Sequence, residues 1–181
     1  MNKRRFLFPA GIALLVLTLI PAEHAHAGCS DPARPEVDWH RCYFDGSDLS
    51  GVDLRRARVR DARFIRANLT GADLTGADGF RSKFVSALLV GTKLEGARLT
   101  SSDLTKADLT GAFLINADLR RAKLVWAVLR NANLTNAKLR GADLREADLS
   151  GALWTDGKTR CAKGSIGQCN AVPRRSRNGS S

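Results

Sequence analysis

From Cys42 to Asp156 a central position recurs every fifth residue, without one insertion or deletion. The column runs Phe44, Leu49, Leu54, Val59, Phe64, Leu69, Leu74 and onward to Trp154, and leucine fills 17 of its 23 places. Gly79 alone lacks a large apolar side chain there. Two residues before each centre stands a second column, alanine at 17 of 23 positions. In an α-helix five residues advance by about 500°, which would scatter the leucines around every face. A coiled-coil seam needs a spacing of about 3.5 residues instead. In a strand the Ala and Leu share a face, but the next Ala lies three residues on and would flip outward. The chain must therefore turn after each Ala-x-Leu.

The turn positions carry a second, longer period. Gly51, Gly71, Gly91, Gly111 and Gly151 are spaced by twenty, and Asn131 completes the series. Glycine, and to a lesser degree asparagine, supplies the positive φ that some turns require. A spacing of twenty in a period of five means that four corners close one coil.

The consensus Ala-(Asp/Asn/Arg)-Leu-x-x over 42–156 resembles the A(D/N)Lxx pattern of the pentapeptide-repeat family. That resemblance implies an all-β fold, a right-handed quadrilateral parallel β-helix solenoid of about six coils. Leu or Phe and Ala would point inward and the other three positions outward. At about 4.8 Å per stacked coil the rod would be roughly 28 Å long. Some members of the family mimic DNA and protect DNA gyrase from quinolones, a role that needs a strongly negative rod.

This chain is positive instead, with a formal charge of +11. Lys3, Arg4 and Arg5 precede an apolar run from Phe6 to Ile20, which is too short for an ordinary membrane span. Ala25-His26-Ala27 then has the small-x-small form of a signal peptidase site. Cleavage is expected between Ala27 and Gly28, with export to a bacterial periplasm or beyond. The twin-arginine resemblance of Arg4-Arg5-Phe6-Leu7 is loose, and His26 stands where a lipoprotein box at Cys29 would want Leu. Cleavage takes away three basic residues and Glu23, leaving +9.

All four cysteines survive cleavage: Cys29, Cys42, Cys161 and Cys169. An even count in an exported chain reads as a disulfide framework, with three connectivities open. Cys29–Cys42 and Cys161–Cys169 are favoured, because each closes a short loop where an open solenoid end needs a cap. The expected organisation is a signal peptide (1–27), an N-terminal cap (28–41), the β-helix (42–156), a C-terminal disulfide cap (157–170) and a disordered basic tail (171–181). At the Gly79 irregularity the residues favour a locally distorted corner with Phe80 partly outside, over Phe80 turning inward.

Numbering the faces from the first pentapeptide, 42–46, puts two surface features in reach. Ile65, Val85, Val125 and Trp126 share face 1, and Leu88, Val90 and Val128 share face 2, a candidate self-association or partner patch. Face 4 holds an alternating column, Arg58, Asp78, Arg98, Asp118 and Lys138, suited to cross-strand pairing. It also holds Arg60, Arg81, Arg120, Arg121 and Arg140, a candidate polyanion face.

No catalytic set, metal site or cofactor is expected. His24 and His26 leave with the signal peptide, so His40 alone remains, and the carboxylates recur with the repeat. CxxC-like zinc spacing is absent. The reading is a non-enzymatic exported scaffold or protein-interaction module, monomeric or weakly dimeric, with no membrane span once cleaved. The alternative partner is an anionic envelope component. Nucleic acid and gyrase mimicry are disfavoured by compartment, and mimicry by charge as well.

Overall fold

The computed structural model describes residues 28–171. The expected signal peptide and all but Ala171 of the expected tail lie outside the described residues. Each pentapeptide is one short extended piece and one corner, and four of them make a coil. Successive coils are joined by parallel bridges offset by twenty residues, from Asp38↔Arg58 to Asn133↔Leu153. This is the right-handed quadrilateral β-helix. The four inward columns are centred on Phe44, Leu49, Leu54 and Val59 and define faces 1 to 4. The ladder starts five residues before the boundary read from the sequence: Val37 takes the alanine place, Trp39 the central one, and both are buried.

The repeat pattern follows from where five backbone N–H groups go. Around Leu54, Leu54 N–H donates to Asp73 O in the next coil at 2.7 Å, and Arg56 N–H donates to Thr75 O at 2.9 Å. Ala57 N–H closes the turn on Leu54 O at 3.0 Å, and Arg58 N–H returns to Val37 O at 2.9 Å. Only the residue just after the leucine, here Arg55, has no backbone acceptor. Its N–H donates to the Asp53 carboxylate at 3.1 Å. Asp48, Asn68, Asp73, Asp103, Asp108, Asn133, Asp143 and Asp148 do the same for the residue two places on. The Asp or Asn of the consensus is therefore a cap on the one amide the ladder leaves over.

Every corner from Glu36 to Gly151 has positive φ at its last residue, the mark of a type II turn. Glycine holds only a minority of these corners, and most use other residues, including Arg56, Lys106, Trp126 and Glu146. The ladder bonds on both sides hold them in that conformation.

The core is one column of apolar layers. Phe44, Phe64 and Phe84 stack on face 1 with centroids 5.3 and 5.0 Å apart, and Trp39 tilts onto Phe44 at 4.2 Å. Each fully buried leucine contributes about 1.5–3 kcal/mol. Where the alanine column has Ser82, Thr92 or Ser102, the hydroxyl donates to a carbonyl at 2.6–2.8 Å, so each of these three buried hydroxyls is satisfied.

At Gly79 the corner is not distorted. Asp78 keeps both bridges, Gly79 N–H donates to Arg98 O at 2.8 Å, and Arg81 has the standard corner φ of 57°. A Cβ at Gly79 would lie 2.9 Å from Leu99 Cδ2 and 3.0 Å from Ser82 Oγ, so the gap is filled by the leucine of the next coil. Phe80 is half-buried at the outer surface, with the Arg60 guanidinium 4.9 Å from its ring centre.

Both ends carry disulfides, Cys29–Cys42 and Cys161–Cys169. At the N-terminus Cys42 occupies a buried alanine place, and Trp39 Nε1 donates to Asp31 O at 3.2 Å. At the other end residues 157–171 fold back antiparallel: Ile166 pairs with Asp148 and Arg160 with Leu153. Those pairings cover faces 2 and 3.

Candidate functional site

The corner between faces 4 and 1 gathers cations along the rod. The ladder places Arg60, Arg81, Arg120, Arg121 and Arg140 on its face 4 side. It brings up Arg63, Lys83 and Lys123 from the bridging positions of face 1. A groove of about 390 Å³ is lined by Tyr43, Asp61, Arg63, Arg81, Lys83, Ser101, Asp103 and Lys123. Farther along, a recess of about 180 Å³ is lined by Arg120, Arg121 and Arg140 alone. The face 1 members were not singled out in the sequence. The signal was present as the twenty-residue column Arg63, Lys83, Asp103, Lys123.

Not all of these charges are available to a ligand. Arg60 pairs with Asp78 at 3.2 Å, Arg63 with Asp45 at 2.6 Å, Arg81 with Asp61 at 3.1 Å and Arg120 with Asp118 at 2.6 Å. The Arg120 side-chain hydrogen bond, joined by its N–H and charge, pushes the Asp118 carboxyl down to about 2. Among the described residues Lys83, Arg121, Lys123 and Arg140 have no such carboxylate. Of the five arginines expected to form a polyanion face, three are thus already engaged. Within the alternating column the Arg98–Asp78 pair forms at 3.5 Å, whereas Arg58 pairs with Asp38, outside that column, also at 3.5 Å.

The family model of pentapeptide repeats matches the chain in eight copies, over residues 42–78, 82–121 and 122–153. The chain belongs to the pentapeptide-repeat family. The first break in the match, 79–81, falls on the Gly79–Phe80 irregularity. Among solved pentapeptide-repeat structures, HetL of the cyanobacterium Nostoc sp. strain PCC 7120, involved in heterocyst differentiation regulation, is 33% identical. The match covers 68% of each chain, with a TM-score of 0.46. A trypsin-treated variant of QnrB1, a plasmid-mediated fluoroquinolone resistance protein, is 24% identical over 65% of this chain and 63% of its own, with a TM-score of 0.52. A protein of the Arabidopsis thaliana thylakoid lumen is 29% identical over 62% of this chain and 68% of its own, with a TM-score of 0.27. No curated protein sequence matches the chain.

On this pentapeptide-repeat rod the apolar residues expected to form one patch lie in two islands. Ile65, Val85, Leu88 and Val90 belong to the second and third coils, and Val125, Trp126 and Val128 to the fifth. Thr105, Lys106 and Asp108 of the fourth coil stand between, and Asp108 bridges both Leu88 and Val128. Leu88 and Trp126 are about half exposed, whereas Ile65, Val85, Val90, Val125 and Val128 are half-buried. The Lys106 ammonium lies 5.2 Å from the centre of the Trp126 ring. Tyr43 and Phe113, at outward second positions, and Ile166 of the cap, none of them part of the expected patch, are exposed as well.

Among the described residues no cluster of His, Cys, Asp and Glu could hold a metal ion. No described helix is long and apolar enough to cross a membrane. The repeated carboxylates are occupied as amide caps and ion-pair partners.

Proposed function

We propose that this protein is a non-enzymatic, exported pentapeptide rod that works by contact, binding anionic envelope material along the edge between faces 4 and 1. The observation that carries this reading is the groove and recess on that edge, where Lys83, Arg121, Lys123 and Arg140 are exposed and, among the described residues, have no carboxylate at salt-bridge distance. A row of such cations attracts phosphate-bearing surfaces and polymers over several ångströms. Export is supported by the basic start, the apolar run and Ala25-His26-Ala27, together with two disulfides that suit an oxidising compartment. The mature charge of +9 opposes a DNA-mimicking role.

The test is co-sedimentation with vesicles containing anionic phospholipid, against neutral vesicles. Binding is expected at about 0.01 M salt and should weaken strongly by about 0.15 M, as the screening length falls from about 30 to 8 Å. An Arg121→Glu/Arg140→Glu variant should bind less at low salt. Binding that ignores both salt and this variant, or no binding at low salt, refutes the reading. Cell fractionation with intact mass under non-reducing conditions tests the address. The expected product starts at Gly28 and is lighter than the reduced chain by four hydrogens.

A further inference from the structure

The rod is capped over only half of its C-terminal end. On faces 2 and 3 the cap takes up the ladder groups of the last coil: Leu149 N–H donates to Ser165 O at 2.8 Å, Gly151 N–H to Cys161 O at 2.9 Å and Trp154 N–H to Thr159 O at 2.7 Å. On faces 4 and 1 the last pentapeptides are 137–141 and 142–146, and there the ladder stops. One coil earlier, Leu119, Arg121, Leu124 and Trp126 each donate to residues 138–145 at 2.7–3.2 Å. Their successors Leu139, Gly141, Leu144 and Glu146 have no acceptor among the described residues, and Ala137 and Ala142 carbonyls have no donor. The core is open there too: Leu119, Ala122 and Leu124 are buried, whereas Leu139, Ala142 and Leu144 are half-buried.

Beside this edge lies a recess of about 860 Å³, walled by Val125, Trp126, Leu144, Arg145 and, across it, Ile166 and Gln168 of the cap. An unpaired in-register edge next to an apolar recess is what strand addition requires: main-chain bonds for affinity and a pocket for an inward side chain. The surrounding charge decides what kind of strand. Arg120, Arg121, Lys123, Lys138, Arg140 and Arg145 stand against Asp118, Asp143 and Glu146 on these two faces of the last two layers.

We propose that this open half-coil is a docking edge for an extended acidic segment of a partner protein, which adds to residues 137–146 as the next two pentapeptides of the ladder. The chain's own residues 172–181 suit it poorly, since they bring Arg174, Arg175 and Arg177 and no carboxylate side chain. A second copy stacked tail to tail would set the same basic cluster against itself.

The experiment uses the full disulfide-bonded protein and a synthetic ten-residue probe, Ala-Asp-Leu-Glu-Gly repeated twice, with Ala-Lys-Leu-Lys-Gly repeated twice as its control. Binding is read by Trp126 fluorescence, using Trp126→Phe to assign the signal, and by amide hydrogen exchange. The acidic probe should protect Leu139, Gly141, Leu144 and Glu146, and the basic one should not. Arg121→Glu/Arg140→Glu should weaken the acidic probe roughly fivefold. Equal binding of both probes, or binding without protection of those amides, overturns the proposal. Protection already present in the free protein also overturns it. Loss of that protection on truncation after Ala171 assigns the edge to the tail, and dependence on protein concentration assigns it to a second copy.

Discussion

Gly79→Leu restores the consensus residue at the one central position that lacks a large side chain, and it should destabilise the protein. The gap is not empty: a Cβ there would be 2.9 Å from Leu99 Cδ2 and 3.0 Å from Ser82 Oγ, which donates to Gly79 O at 2.6 Å. A leucine must push Leu99 out of its place, and overpacking of this kind costs about 1–3 kcal/mol. At about 2–4 °C per kcal/mol for a chain of this size, the melting temperature should drop by roughly 2–12 °C. Leu99→Ala should cost about 4–5 kcal/mol, toward the upper end of leucine truncations, because it opens a cavity continuous with the Gly79 space. Leu119→Ala, one layer on, should cost less. In the Gly79→Leu/Leu99→Ala double variant the new leucine occupies the vacated volume, so the loss should be about 1–3 kcal/mol smaller than the sum of the singles. Phe80→Ala is the control and should cost less than either core change, since Phe80 lies outside under Arg60. Thermal melts and denaturant unfolding followed by circular dichroism measure all five. A neutral or stabilising Gly79→Leu, or strict additivity in the double variant, refutes the argument that Leu99 fills the layer.

Gly91→Ala isolates the cost of a corner, because φ is 63° and nothing lies within 4 Å of the added Cβ. A loss of about 1–2 kcal/mol is expected, and an unchanged melting temperature would show that the ladder absorbs left-handed strain. Asp73→Ala removes an amide cap and should cost about 1 kcal/mol, whereas Asp73→Asn keeps an acceptor for Thr75 N–H and should cost less. The caps also set the acid response. The carboxyls of Asp48, Asp53 and Asp143 are held below their ordinary value, chiefly by hydrogen bonds from Ser50, Arg55 and Arg145. Asp156 is pushed down to about 2 by Thr159. A carboxyl depressed in the folded state stabilises above its unfolded value and loses that contribution as pH falls through its folded one. The melting temperature should therefore be insensitive to these groups from pH 7 to 5 and fall between about pH 4 and 2; a fall complete above pH 5 would assign the loss to other groups. Replacing Cys161 and Cys169 together by serine should cost about 2–3 kcal/mol and expose the cap to proteolysis before the coils.

Much of this architecture is legible in the order of residues because a solenoid repeats its own environment. A spacing of five excludes helix and unbroken strand, and a glycine spacing of twenty closes the coil on four sides. Trp39 shows the limit of reading by consensus. It completes a pentapeptide, Val37 to Arg41, that has neither the alanine nor the leucine, and only its bridge partner twenty residues later reveals it. The corners show another. Arg56 and Trp126 adopt the conformation expected of glycine, because ladder bonds on each side leave the chain no other path.

What the sequence by itself determined is the periodic part: the coil, the inward columns and the face to which each side chain belongs. These follow from local geometry repeated without interruption. Only the tertiary structure decided that Leu99 fills the layer at Gly79, that Arg60, Arg81 and Arg120 spend their charge on neighbouring carboxylates, and that the cap covers faces 2 and 3 while leaving 137–146 open. Each depends on where a flexible side chain or an aperiodic segment comes to rest against groups up to twenty residues away, and a repeat encodes only what recurs.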